Sequence, residues 1–109
     1  MIIAGYGFVY KIKPELKDEY QKAHDEIWPE QVKALKDAGF SNYSMYYRED
    51  GTVFSYLETD DFDRSVQILF KSDINKKWQE YMEKYFDKTK SNTLGPEIVM
   101  LEKIWQLDE

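Results

Sequence analysis

The sequence predicts an α+β chain of the ferredoxin-like kind, ordered β-α-β-β-α-β around one antiparallel sheet. Three observations carry this reading. The first ten residues are rich in Ile, Phe, Val and Tyr; a long stretch with helical period follows Pro14; and Asp50-Gly51 separates two aromatic-rich runs. A chain of 109 residues has room for one domain, taken as residues 1–109, with no internal repeat or linker.

Ile3 to Ile12 reads as the first strand, closed by Lys11, Lys13 and Pro14. Pro14 with Glu15 and Asp18 behind it suits a helix start, where a missing amide proton costs nothing and acidic groups meet the positive helix end. The helix should run to about Ala38, with Gly39 as its stop. Its apolar face takes Leu16, Tyr20, Ala23, Ile27, Gln31, Ala34, Leu35 and Ala38, with a kink expected at His24 to Trp28 before Pro29. Ser41 to Arg48 and Thr52 to Thr59 form a hairpin across Glu49-Asp50-Gly51. The acidic cluster Asp60, Asp61 and Asp63 opens a helical region whose first piece carries Val66, Leu69 and Phe70. Asp73 is the expected cap of a second piece carrying Ile74, Trp78, Tyr81, Met82 and Tyr85. Asp87 to Pro96 reads as a polar loop. Ile98 to Leu107 reads as the last strand, with Val99, Leu101, Lys103, Trp105 and Leu107 on one face. Both helical regions would cover one side of the sheet. The other side is also apolar, so a second copy should cover it, giving a homodimer.

Composition narrows the function. There are 21 acidic against 15 basic residues, a net charge of −6, which disfavours nucleic acid and anionic membranes as partners. An uncharged ligand meets no such objection. Cysteine is absent, so disulfides and thiolate chemistry are excluded, and a cytoplasmic location is expected. No apolar run approaches a membrane span, and Met1 to Tyr10 lacks the basic flank and cleavage pattern of a signal peptide. Nine Tyr, six Phe and three Trp exceed what one small core needs; the surplus should line a pocket or an interface.

The single histidine, His24, lies one turn after Tyr20 and beside the buried stripe. A half-buried structural imidazole is one reading. The other is a general acid or base, since imidazole changes charge near neutral pH. Tyr20, Tyr43 and Trp78 are the companion candidates: core or dimer rings on one view, groups that stack on a sugar or another flat ligand and hydrogen-bond to it on the other. No metal site is expected from one His and scattered carboxylates. Gly5-Tyr6-Gly7 lies within a strand, so it is no phosphate loop.

The segment Glu19-Tyr20-Gln21-Lys22-Ala23-His24-Asp25-Glu26-Ile27-Trp28-Pro29-Glu30 resembles the signature of L-rhamnose mutarotases. Asn42-Tyr43-Ser44-Met45-Tyr46 and Trp78 with Tyr81-Met82 extend the likeness over essentially the whole chain. The resemblance implies a dimeric α/β barrel and a cofactor-free isomerase that interconverts the α and β anomers of L-rhamnopyranose. It implies His24 as the catalytic proton donor and Tyr20, Tyr43 and Trp78 as substrate contacts. Gln79 stands where the family often has a second tryptophan. The competing reading is a dimeric barrel of another activity, binding a small ligand or resembling a monooxygenase, because fold alone does not fix function. The stretch from Tyr20 to Pro29 is what separates the two.

Overall fold

The structure, a computed structural model, describes residues 3–89 and 94–107. Met1 and Ile2, the middle of the expected Asp87–Pro96 loop, and the last two residues lie outside it. Strand β1 (Ala4–Lys11) is followed by a 3₁₀ turn (Pro14–Leu16) and helices α1 (Lys17–Asp25) and α2 (Pro29–Asp37). Strands β2 (Ser41–Tyr47) and β3 (Thr52–Thr59) precede helices α3 (Phe62–Phe70) and α4 (Asp73–Met82), a 3₁₀ turn (Glu83–Tyr85) and β4 (Val99–Met100). The sheet order is β2-β3-β1-β4, with β3 antiparallel to both its neighbours and β4 antiparallel to β1. This is the ferredoxin-like α+β arrangement that the sequence predicts.

The strands alternate as period-2 elements must. Phe8, Tyr10, Ile12, Val53 and Leu57 point to the helices and are buried, joined there by Tyr20, Ala23, Ala38, Trp78 and Met82. The opposite side of the sheet is open. Phe54 and Tyr46 are exposed there, and the Tyr56 ring lies across Gly5, where a Cβ would stand 2.3 Å from its hydroxyl.

Four boundaries differ from the sequence expectation. The expected helix from Pro14 to Ala38 is broken into α1 and α2 rather than kinked. Trp28 is extended (φ −62, ψ 133) because proline crowds its predecessor out of the helical region, and Pro29 becomes the first residue of a new helix. The cap of α4 is Ser72, not Asp73: its hydroxyl accepts from the Asn75 amide, while Asp73 is already helical. The last strand pairs over Val99–Met100, and Leu101 N–H still donates to Gly7 O at 2.9 Å. Beyond that, Ile104 is 87% exposed and Trp105 73% exposed, because the alternating stripe finds no second surface within the chain. The fourth is a bulge between Ser41 and Ser44 with Asn42 at φ 48, a conformation that asparagine tolerates.

The hairpin turn docks on the end of β1. Gly51 N–H bonds Arg48 O, and Ile12 N–H bonds Gly51 O at 2.8 Å. Gly51 holds φ +98, and a Cβ there would lie 2.4 Å from the Ile12 carbonyl oxygen. Gly51→Ala should therefore cost about 1–3 kcal/mol in urea unfolding. Gly7→Ala, where a Cβ would meet Phe54 at an ordinary 3.5 Å, should cost less than about 1 kcal/mol.

Candidate active site

Helix α1 ends just past His24 because Pro29 forbids its continuation, so the imidazole sits in the final turn at the mouth of the helix–sheet interior. Its Nδ1 lies 2.9 Å from the Tyr20 carbonyl oxygen. A carbonyl only accepts, so Nδ1 carries the proton and donates, leaving Nε2 as the free nitrogen. The imidazole ring centroid is 4.5 Å from that of Tyr20 and 5.4 Å from that of Trp78, the latter edge-on. Burial pushes the His24 pKa below its ordinary 6.5, opposed by the Tyr20 carbonyl and the Asp25 carboxylate. The neutral imidazole is therefore the main form at pH 7.

Tyr20 reaches across to β1. Its hydroxyl is 2.5 Å from the hydroxyl of Tyr10, which in turn donates to Met45 Sδ at 3.7 Å. Tyr43 is brought toward the same place by the β2 bulge; its ring packs on Phe8 at 6.5 Å. One side of Tyr43 is open, but its phenol end is turned inward near Tyr10 and Ser55. Burial raises the pKa of all three phenols, and mutual proximity adds to the shift of Tyr10 and Tyr43. They stay protonated at neutral pH; with Tyr10 donating to Met45 Sδ, the proton between the Tyr10 and Tyr20 hydroxyls is that of Tyr20.

Trp78 is 4% exposed and belongs to the core. It meets Trp28 edge-on at 5.1 Å and Tyr81 at 5.8 Å, while Trp28 stacks on Tyr81 at 5.5 Å. All four residues singled out from the sequence, Tyr20, His24, Tyr43 and Trp78, line one cleft of about 860 Å³ between the sheet and the helices. Tyr20 and His24 also line a smaller outer hollow of about 380 Å³ beside Lys17 and Asp25.

Sequence reasoning missed three residues of this cleft. Tyr10 was one ring among many, and only its partner across the sheet makes it distinctive. Gln31 occupies an apolar-stripe position yet is 2% exposed, and its Nε2 donates to Asn75 Oδ1 at 2.9 Å. Asn75 itself is 2% exposed and also accepts from Gln79 Nε2 at 3.4 Å. A glutamine on an apolar stripe, and two amides one turn apart on α4, were the available signals. Among the described residues no donor reaches Gln31 Oε1 or Gln79 Oε1, and leaving such an acceptor buried costs about 1–3 kcal/mol. Among the described residues no cluster of His, Asp and Glu is placed to hold a metal ion, and no helix is long and apolar enough to cross a membrane.

Fold and site together define an α+β protein with one acid–base group set among protonated phenols, aromatic rings and neutral amides. The family profile of L-rhamnose mutarotase matches residues 5–107. An L-rhamnose mutarotase of Lactiplantibacillus plantarum is 36% identical over 94% of this chain and 96% of its own length. One from Ligilactobacillus salivarius is 40% identical over 74% of this chain and 78% of its own. The crystal structure of L-rhamnose mutarotase FA22100 from Formosa agariphila superposes with a TM-score of 0.81 at 27% identity, covering 96% of this chain and 99% of that one. An antibiotic biosynthesis monooxygenase shares the fold alone, with a TM-score of 0.60 at 12% identity. The chain belongs to the L-rhamnose mutarotase family, a family of isomerases.

Because Trp78 is a core ring as well as a cleft wall, Trp78→Ala should cost about 3–5 kcal/mol of stability. Any change in ligand affinity is therefore better read from Trp78→Phe, which keeps a ring. Thermal unfolding of the two variants beside the parent checks the ordering; equal stability of Trp78→Ala and the parent would contradict the packing described.

Proposed function

We propose that this chain interconverts the α and β anomers of L-rhamnopyranose, with His24 carrying the proton and Tyr20, Tyr43 and Trp78 contacting the sugar. The observation that carries this is the fixed imidazole. With Nδ1 tied to the Tyr20 carbonyl, one nitrogen, Nε2, faces the chemistry, and it starts unprotonated. The anomeric hydroxyl and the ring oxygen are bonded to the same carbon, so one nitrogen can serve both. Nε2 takes the proton of the anomeric hydroxyl; the bond from the anomeric carbon to the ring oxygen breaks as the carbonyl forms. The imidazolium then gives that proton to the ring oxygen. Rotation of the open-chain aldehyde presents its other face, and the same steps in reverse close the other anomer.

The phenols serve the charge that develops on oxygen. Tyr43 remains protonated and can donate to an oxygen that turns anionic, and Tyr20 can do so once its proton turns from the Tyr10 hydroxyl to the sugar; a buried setting strengthens such bonds. The reaction moves one proton out and back, with no change of oxidation state, so it asks of the protein only what imidazole and phenol supply. A sugar without charge suits a cleft walled by rings and amides.

The enzyme acts as a homodimer in the cytoplasm. The support for the dimer is the open side of the sheet. Phe54, Tyr46, Val99 and Leu101 are exposed there, and Trp105 and Leu107, further along the same alternation, are exposed too. A face of this kind needs a cover, and a second copy brings a matching one. The support for the compartment is the lack of cysteine in a chain of 109 residues.

Saturation-transfer NMR on equilibrating L-rhamnose tests the activity: exchange between anomer signals should be faster with the protein than without. His24→Ala should lower that acceleration by about 10² or more, with the folded state retained. A stable variant of undiminished activity would remove His24 from the mechanism. For the neutral imidazole as the starting form, activity should be low in acid, rise with pH through a pKa below 6.5 and stay level above neutrality. A rate that falls across that range would mean that the imidazolium starts the reaction. Sedimentation equilibrium at micromolar protein should return twice the chain mass of 13.1 kDa.

A further inference from the structure

Helices α2 and α4 meet through side-chain amides where a core would ordinarily place apolar groups. Gln31 and Asn75 are each 2% exposed. Both glutamine amides turn their NH₂ groups to Asn75 Oδ1, at 2.9 Å for Gln31 and 3.4 Å for Gln79. Their carbonyl oxygens, Gln31 Oε1 and Gln79 Oε1, are buried and meet no donor among the described residues. All three residues line the cleft that holds His24. Rotating the three amides together exchanges donors for acceptors, yet the same two ends stay unmatched. A ligand group that both donates and accepts suits either arrangement, and a hydroxyl does both.

We propose that Gln31, Asn75 and Gln79 form a hydroxyl-recognition subsite that reads the ring hydroxyls of the sugar away from its anomeric carbon. The inference rests on the mutarotase reading and deepens it by naming what sets the choice of sugar. Position supports the division of labour. Trp78 stands next to Gln79 in α4 and presents its ring to His24 at 5.4 Å. Asn75 lies one turn before Trp78 on the same side of α4, so the ring that meets the imidazole and the amide that joins the two glutamines line one cleft. The amides carry no charge to balance that of a phosphate or a carboxylate. They select a neutral polyol. The discrimination expected is the stronger kind, because a site holding buried polar groups rejects an analogue that leaves them unpaired.

Gln31→Leu keeps the volume and removes one unmatched oxygen. In this variant KM for anomer exchange of L-rhamnose should rise by about tenfold or more, the usual consequence of losing a buried hydrogen bond to a ligand, with kcat little changed. The parent should exchange at least one of the 2-, 3- and 4-deoxy analogues of L-rhamnose poorly, and the variant should lose that preference. In the parent, the side-chain NH₂ signals of Gln31, Asn75 and Gln79 should shift in ¹⁵N-edited NMR when L-rhamnose is added. If Gln31→Leu fails to fold, Gln79→Leu, at a partly exposed position, gives the same readings. Unshifted amide signals with unchanged KM in an active enzyme would overturn the subsite and make the amides a helix-to-helix tie, leaving the mutarotase reading intact. No acceleration of exchange by the parent would instead overturn the mutarotase reading. The amide signals still decide the subsite in that case: shifts on adding L-rhamnose support it, and their absence ends it.

Discussion

The arrangement of the cleft depends on what proline does to its predecessor. Pro29 denies Trp28 a helical backbone, so the chain stops one helix at Asp25 and starts another at once. Both consequences reach the site. The last turn of α1 presents His24 with its side chain folded back on the Tyr20 carbonyl. In α2, Gln31 turns inward against Asn75. Trp28, held extended, lays its ring on Tyr81 and Trp78 and so braces α4 against the break.

Burial then sets the chemistry, in opposite senses for the two kinds of group. Taking a charge out of water is unfavourable, so the neutral form gains in every case. For His24 that means a pKa pushed down and a free lone pair at Nε2. For Tyr10, Tyr20 and Tyr43 it means phenols that keep their protons. One physical cause thus yields a base beside a set of donors, with no ion pair needed to hold them.

Packing and recognition share residues here, and the sharing has a cost. Trp78 fills core volume while its edge meets the imidazole. The amides of Gln31 and Gln79 join two helices through Asn75 yet leave two oxygens without partners among the described residues. A core built for stability alone would place leucine at such a stripe position. Glutamine there costs stability unless a polar ligand completes its hydrogen bonds.

The sequence by itself determined the element order, because periodicity and turn chemistry are local: the Asp50-Gly51 hairpin, the strand from Ile3 and the helical stretch disturbed before Pro29 all follow from short-range sterics and patterning. It also determined the resemblance at Tyr20, His24 and Trp28-Pro29, since those residues are adjacent in the chain. Tertiary structure decided everything that needed two elements to meet. Tyr10 faces Tyr20 only once β1 lies beneath α1. The stripe from Leu101 to Leu107 reads as strand, yet it leaves β1 after Leu101, since alternation says which residues share a face and not whether a partner surface exists. Gln31, Asn75 and Gln79 likewise look like unrelated polar residues until two helices, 44 residues apart in the Gln31–Asn75 bond, are packed together. Long-range contact is the information that a local pattern does not hold.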